Sequence, residues 1–452
     1  MKHFFFLLIV LGSVSCKKFL VVDAPPMLTT TDYVFASDAT AIATIDGIYS
    51  AMQANGNQFS AGAVTFYAGL SSDELLYYSP SSRDLFASND ITEASHSILE
   101  DQFWNPAFNY IYTANLTLDK LNGSTGVSDG IKKRLTGEAK FIRAFCYFYL
   151  VNLFGDVPLA LAADYRINEK LPRADITVVY GQIKSDLREA ITLLPESNVG
   201  NARVRPSKWA AMAMLSRVCL YTQQWKEAET AASAILASNM FQLTTSPASV
   251  FGKASPETIW QLQPVQSNIA TWEASEILPS TTEAPPSYII PANFVNLLEA
   301  GDTRGAWFSQ RLFLGETVCY PTKYKQLQQS GTLNEYYVVL RLAEQYLIRA
   351  EARSQLGLLD DGVSDVNEIR IRASLSPVTI NNKADLELAI ERERRVELAA
   401  EWGHRWMDLK RTNRASAILA PVKPLWGPTD VLWPIPLKQL QANPQLVQND
   451  GY

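Results

Sequence analysis

The sequence predicts a mainly α protein: a tetratricopeptide-like helix-hairpin scaffold with irregular loops and a few short strands. Three observations carry this. Apolar residues recur at alternating three- and four-residue steps over long stretches. Two segments repeat one helix–turn–helix plan, with small residues twelve positions apart in each. Between those segments lies a stretch rich in Pro, Ser, Thr and Gly that has no such period.

The elements follow in order. Residues 1–15 read as an export signal, with Lys2 as its positive start, an apolar run from Phe4 to Gly12, and the small residues Ser13 and Ser15. The residue past the cut is Cys16, which looks like the acylation site of a bacterial lipoprotein. Several acyl chains hold a protein stably on a membrane where one does not. Residues 16–238 then form a helical part. "IDGIYSAMQ" is helical. "WNPAFNYIYTANLTLDKL" is a helix with Pro106 near its first turn and Asn115 on its apolar side, where a buried amide needs a neighbouring loop as partner. In the next segment Leu135, Ala139, Ile142, Cys146, Tyr149 and Leu153 share one helix face, and Gly155 stops it. "VVYGQIKSDLREAITLLP" is another helix. The two repeated hairpins place Ser216 against Ala228 and Ala350 against Gly362, where small residues let helix backbones approach closely.

Two regions lack helical period: Phe59–Asn89 and residues 239–334. Both read as ordered loops resting on the scaffold, because disordered segments are poor in aromatics and these are not. "TIWQLQPV" reads as a strand within the second. Residues 335–452 form a C-terminal part with the last hairpin, a charged helix and a tail. In that helix, "ERERRVELAAEWGHRWMDLKR", Glu391–Arg395 and Glu397–Glu401 are four apart. The expected role is structural: Glu–Arg pairs steady an exposed side while Trp402, Trp406 and Leu409 pack the other, and His404 shares that role. Asp302 and Arg304 read as a structural ion pair, and Trp307 as closing the core.

Composition narrows the function. The chain has 452 residues, 47% hydrophobic, and a net charge of −6, so neither nucleic acid nor a polybasic membrane patch is expected. Apart from Cys16 only Cys146, Cys219 and Cys319 occur, which gives no disulfide framework. With the signal removed, His96 and His404 are the remaining histidines, and no metal-site or nucleophile motif is present. No metal and no cofactor is expected. The full sequence holds ten Trp, 19 Tyr and 19 Phe, which turns the reading toward binding rather than catalysis.

Several pieces, taken together, resemble the SusD/RagB family of outer-membrane lipoproteins: "SCKKFL", "WNPAFNYIYTANLTLDKL", "GEAKFIRAFCYFYLVNLFGDVPL", "RLAEQYLIRAEARSQLG", "WPIPLKQLQANPQL" and the C-terminal "QNDGY". They run in family order along the whole chain. The resemblance implies a single domain with about four helix-hairpin repeats as its scaffold, in a non-catalytic protein on the outer face of the outer membrane, anchored there by lipid at Cys16. It also implies a partner, a SusC-like TonB-dependent transporter, to which captured oligosaccharide or, in some members, peptide is delivered. Sugar rings stack their C–H faces on aromatic side chains while their hydroxyls seek polar edges. The candidates are therefore loop aromatics with polar neighbours: Tyr77 and Tyr78, flanked by Asp73, Glu74 and Arg83; then Trp272, near Asn268 and Glu273; then Tyr288 and Tyr67. The competing readings are peptide capture, a scaffold serving protein assembly alone, and a glycoside hydrolase. The last needs two carboxylates roughly 5–9.5 Å apart, for which the adjacent Asp73 and Glu74 are a poor pair.

Overall fold

The computed structural model describes residues 31–452 apart from 80, 93–94, 198–201, 282 and 328–331. The export signal and Cys16 lie outside the described residues. Helices dominate and strands are few and short, as the sequence predicts. Eight helices stack in chain order, each against its neighbours: Asn105–Gly123, Asp129–Phe154, Ile176–Leu193, Lys208–Tyr221, Trp225–Leu236, Leu342–Gln355, Leu359–Arg372 and Lys383–Glu397. No described helix is long and apolar enough to cross a membrane.

The Asp129–Phe154 helix is the spine. Its first two turns are mostly solvated, and from Phe141 to Val151 every residue is buried. Phe145 is its hub, with ring centroids at 5.0 Å to Tyr149, 5.2 Å to Trp260 and 5.6 Å to Trp402. Full burial of one such ring contributes about 1.5–3 kcal/mol. Gly155 ends the helix at φ 73°, ψ −131°, a conformation open to glycine at little steric cost. The C-terminal tail then satisfies the spine's last carbonyls. Asn449 Nδ2 donates to Phe154 O at 2.9 Å, and Trp433 N donates to Leu153 O at 2.9 Å. Asn115 finds the loop partner expected of it, donating to Ala160 O at 2.9 Å.

The small residues of the two hairpins sit at crossings. A Cβ on Gly362 would lie 3.1 Å from the backbone oxygen of Ala350. Ser216 and Ala228 are both fully buried.

Three expectations about the secondary-structure elements are corrected. The segment 59–89 is not loop throughout. Phe59–Ala63 is a kinked, non-helical turn, with Gly62 in left-handed backbone, that leads into a buried helix, Val64–Ser71. Its apolar residues point inward all round, so it carries no amphipathic period to read. Trp272–Ile277 is likewise a short helix inside the second loop region, N-capped by Thr271. Third, the charged segment is two helices, Lys383–Glu397 and His404–Arg411. Left-handed backbone at Ala400, Trp402 and Gly403 separates them. Tertiary contacts hold that turn: Trp402 N donates to Thr65 Oγ1 at 2.9 Å, and its indole N–H to Val338 O at 2.8 Å.

The charges of these helices do not lie on an exposed side. Glu393, Arg394, Glu397 and Glu401 are buried, and their partners come from distant elements rather than from i, i+4 neighbours. Arg341 reaches Glu397 at 2.6 Å, Glu401 at 2.8 Å and Glu257 at 2.9 Å. Arg304 holds Asp302 at 2.8 Å, the pair read from the sequence, and adds Glu393 at 2.7 Å. Arg372 ion-pairs with Glu397, and Lys323 with Glu401 at 2.5 Å. Trp307 lies amid these cations, with Lys323 Nζ 4.4 Å from its ring centre and its own N–H given to Pro247 O at 2.7 Å. This network fastens the 239–334 region to the last hairpin.

Candidate functional site

The loop leaving the Val64–Ser71 helix pairs with the far end of the second loop region. Leu76 lies opposite Ile289 and Tyr77 opposite Tyr288, antiparallel, and Tyr78 N donates to Ser287 O at 2.9 Å. Arg83 braces this pairing. Its guanidinium lies 4.8 Å from the Tyr77 ring centre and meets Glu276 at 3.4 Å. A cation over an aromatic face contributes about 0.5–1 kcal/mol at exposed sites. Glu276 belongs to the Trp272–Ile277 helix and also accepts from Asn57 Nδ2 at 3.2 Å. The two regions singled out in the sequence thus meet, joined by Arg83, Glu276 and Asn57.

Trp272 is half-buried. Its indole N–H donates to Gln53 O at 3.0 Å and its ring lies on Gly56. A Cβ at Gly56 would come within 2.3–2.8 Å of three ring atoms. Gly56→Ala is therefore expected to tilt the indole off its seat and break the bond to Gln53. A crystal structure of the variant with the ring unmoved would refute this.

A hairpin completes the surface. Strands Phe308–Phe313 and Glu316–Pro321 are antiparallel, turning at Leu314 and Gly315, both left-handed. Phe313 meets Tyr78 edge-on at 5.4 Å, and Arg311 donates to Thr281 O at 3.2 Å. Trp272, Tyr77, Tyr78 and Phe313 are partly exposed aromatics of the assembled surface, as are Phe308 and Tyr320 further along the hairpin.

The other candidates fall elsewhere. Tyr67 is in the core against Phe86 and Phe103, and Tyr288 is fully buried, stacked on Phe66 at 4.6 Å; neither offers a ring face to a ligand. Asp73 is a structural anchor, bound by Arg395 at 2.5 Å and Arg405 at 2.7 Å. Burial opposes its ionisation, but Arg405 and Arg395 outweigh it and hold the carboxyl below its usual range. Glu74 is buried, and burial pushes it up to about 7 against the pull of the Ala400 backbone N–H. Glu273 is buried against Tyr337 Oη at 2.9 Å, and burial pushes it up to about 8. Asn268 is exposed. His404 is buried, and desolvation holds it well below the usual imidazole range. No group of three or more His, Cys, Asp or Glu side chains arranged for a metal occurs among the described residues.

Sequence reasoning missed Phe313, Glu276 and Asn57. The signal for Phe313 was present: "FSQRLFLGETVCYP" alternates on either side of a Leu–Gly turn. Glu276 and Asn57 carry no local signal, since their partners are far away in the chain.

Comparisons with known proteins agree with this architecture. Residues 24–220 match a SusD-like family model described as starch-binding and associating with the outer membrane. Residues 305–424 match the SusD family model. A SusD-like protein of Formosa agariphila is 27% identical over 433 residues, covering 82% of this chain and 83% of the relative. A second from that organism is 24% identical, covering 99% and 97%. Among solved structures, a SusD superfamily protein from Bacteroides vulgatus superposes with a TM-score of 0.81 at 20% identity, covering 92% of this chain and 100% of that one. A laminarin-binding SusD-like protein superposes with a TM-score of 0.75 at 24% identity, with the same coverage. With models of one family matching both its N-terminal and C-terminal parts, the chain belongs to the SusD/RagB family.

Proposed function

We propose that the protein captures an oligosaccharide on Trp272, Tyr77, Tyr78 and Phe313 and delivers it, without chemistry, to a TonB-dependent transporter in the outer membrane. Acylated Cys16 tethers it on the extracellular side. The observation that supports this best is the aromatic surface itself. Two chain regions some two hundred residues apart are cross-braced through Arg83 and Glu276, which holds partly exposed aromatic rings in place. Rings held in advance lose little freedom when a sugar stacks on them. The carboxylates nearby are engaged or buried: Glu276 by Arg83, Asp73 by two arginines, Glu74 and Glu273 inside. That arrangement favours binding over glycoside hydrolysis, which needs two carboxyls facing one bond. The matching family model described as starch-binding and a laminarin-binding structural neighbour support carbohydrate as the ligand class.

Calorimetric titration of laminarin oligosaccharides and a wider glycan panel tests this. Trp272→Ala and Tyr77→Ala are each expected to weaken binding about tenfold or more, a loss of roughly 1.4 kcal/mol. Unchanged affinity in both variants would move the site elsewhere. Binding of oligopeptides but no glycan would replace the proposal with peptide capture.

A further inference from the structure

Beside Trp272 an open groove of about 560 Å³ runs between the Asp38–Ala54 helix, the turn that follows it and the start of the Asn105–Gly123 helix. Its walls are unusual in composition. Six primary amides line it: Asn55, Asn57, Gln58, Gln102, Asn105 and Asn109. Asp101 is the one ionisable acid among its lining residues, and no Lys, Arg or His lines it. Gly56 and Asn57 belong both to the groove and to the aromatic surface, since Gly56 seats the Trp272 ring and Asn57 holds Glu276.

We infer that this groove continues the glycan site and that its occupant is an uncharged oligosaccharide. The inference rests on the function proposed above. A primary amide offers donors and an acceptor together, which matches a hydroxyl that both donates and accepts. Asn55 and Asn109 are the exposed amides of this lining and present both kinds of group to the groove. A sulfate or uronate would fare badly here. It would lose water beside Asp101, while the neighbouring guanidiniums are already committed, Arg83 to Glu276 and the face of Tyr77 and Arg205 to Asp46 and Glu138. Charge therefore selects against anionic glycans without any steric filter. One stretch of the ligand stacks on Trp272 and the next units lie along the amides.

Gly47 supplies a clean test. It lines the groove on a helix, and a Cβ there meets nothing within 4 Å. Tyrosine at this position fills the groove, and it is a better helix former than glycine. The full chain in detergent micelles is screened on an array of neutral, uronate-containing and sulfated hexasaccharides. The tightest neutral hexasaccharide and its trisaccharide are then titrated into wild type, Gly47→Tyr and Asn109→Lys, with thermal melts confirming folding. Wild type is expected to prefer neutral glycans and to bind the hexasaccharide about tenfold more tightly than the trisaccharide. Gly47→Tyr erases that tenfold and leaves trisaccharide binding intact, while Asn109→Lys gains affinity for uronates. Unchanged hexasaccharide affinity in Gly47→Tyr overturns the groove while leaving glycan capture at Trp272 standing. Wild-type preference for uronate or sulfate overturns the neutral class. Absence of any glycan binding overturns the proposed function and this inference with it.

Discussion

Glu397→Ala is expected to lower the unfolding free energy by about 3–5 kcal/mol, the cost of breaking a buried ion pair from one side. Glu397 is fully buried and accepts from Arg341 at 2.6 Å and Arg304 at 3.5 Å, with Arg372 also paired to it. Desolvation works against its charge, yet Arg372, Arg341 and Arg304 outweigh it and hold the carboxyl well below the usual range. Alanine leaves those three guanidiniums short of one counter-charge in a place water does not reach. The network also ties the 239–334 region to the last hairpin, so the damage spreads toward the aromatic surface. Urea unfolding followed by circular dichroism reads the effect. The exposed pair Arg188–Glu227 is the control: Glu227→Ala should cost less than about 1 kcal/mol. A Glu397→Ala loss as small as the control's would mean that the buried network is not what holds these elements.

Glu273→Gln should stabilise the protein at pH 8 and have little effect at pH 5. Folding raises this carboxyl to about 8, chiefly by desolvation and against the pull of its bonds to Thr65 and Tyr337. In the unfolded chain a glutamate ionises near pH 4.3. Between those values the unfolded state releases a proton that the folded state keeps, so stability falls as pH rises through the window. At about 1.4 kcal/mol per unit the penalty at pH 8 is a few kcal/mol, and glutamine removes it. Glu74, raised to about 7, acts in the same sense. His404, held low by burial, and Lys410 and Lys423, each lowered to about 7, act in the opposite sense, which is why the variant is compared with wild type at each pH. Asp73, Glu397, Glu401 and Asp408 govern the acid side. Their depressed values stabilise above the unfolded range near pH 4, and that stabilisation is lost as pH falls below it. Equal shifts in melting temperature for Glu273→Gln at pH 5 and pH 8 would refute the assignment.

The helical scaffold was legible because its signals are local. Amphipathic period and a glycine stop at Gly155 act within a turn or two of their own positions, and Ala350 and Gly362 meet across one hairpin, twelve residues apart. The Val64–Ser71 helix was not legible, since burial on every side erases the pattern that marks one face. The charged segment misled for a related reason. Spacing shows that Glu391 and Arg395 can meet on a helix surface, but Glu391 meets Arg405 at 3.2 Å and Arg395 meets Asp73 at 2.5 Å.

The sequence by itself determined the class of fold, the family and the regions that carry the aromatic surface. Residue chemistry and short-range spacing suffice for those. Which aromatics face outward was decided only by the tertiary structure. Tyr77 and Tyr288 sit opposite each other across one strand pair, yet Tyr288 is sealed by Phe66 beneath it while Tyr77 stays at the rim under Arg83. Exposure depends on what the rest of the chain places above each ring, and those contacts come from residues hundreds of positions away.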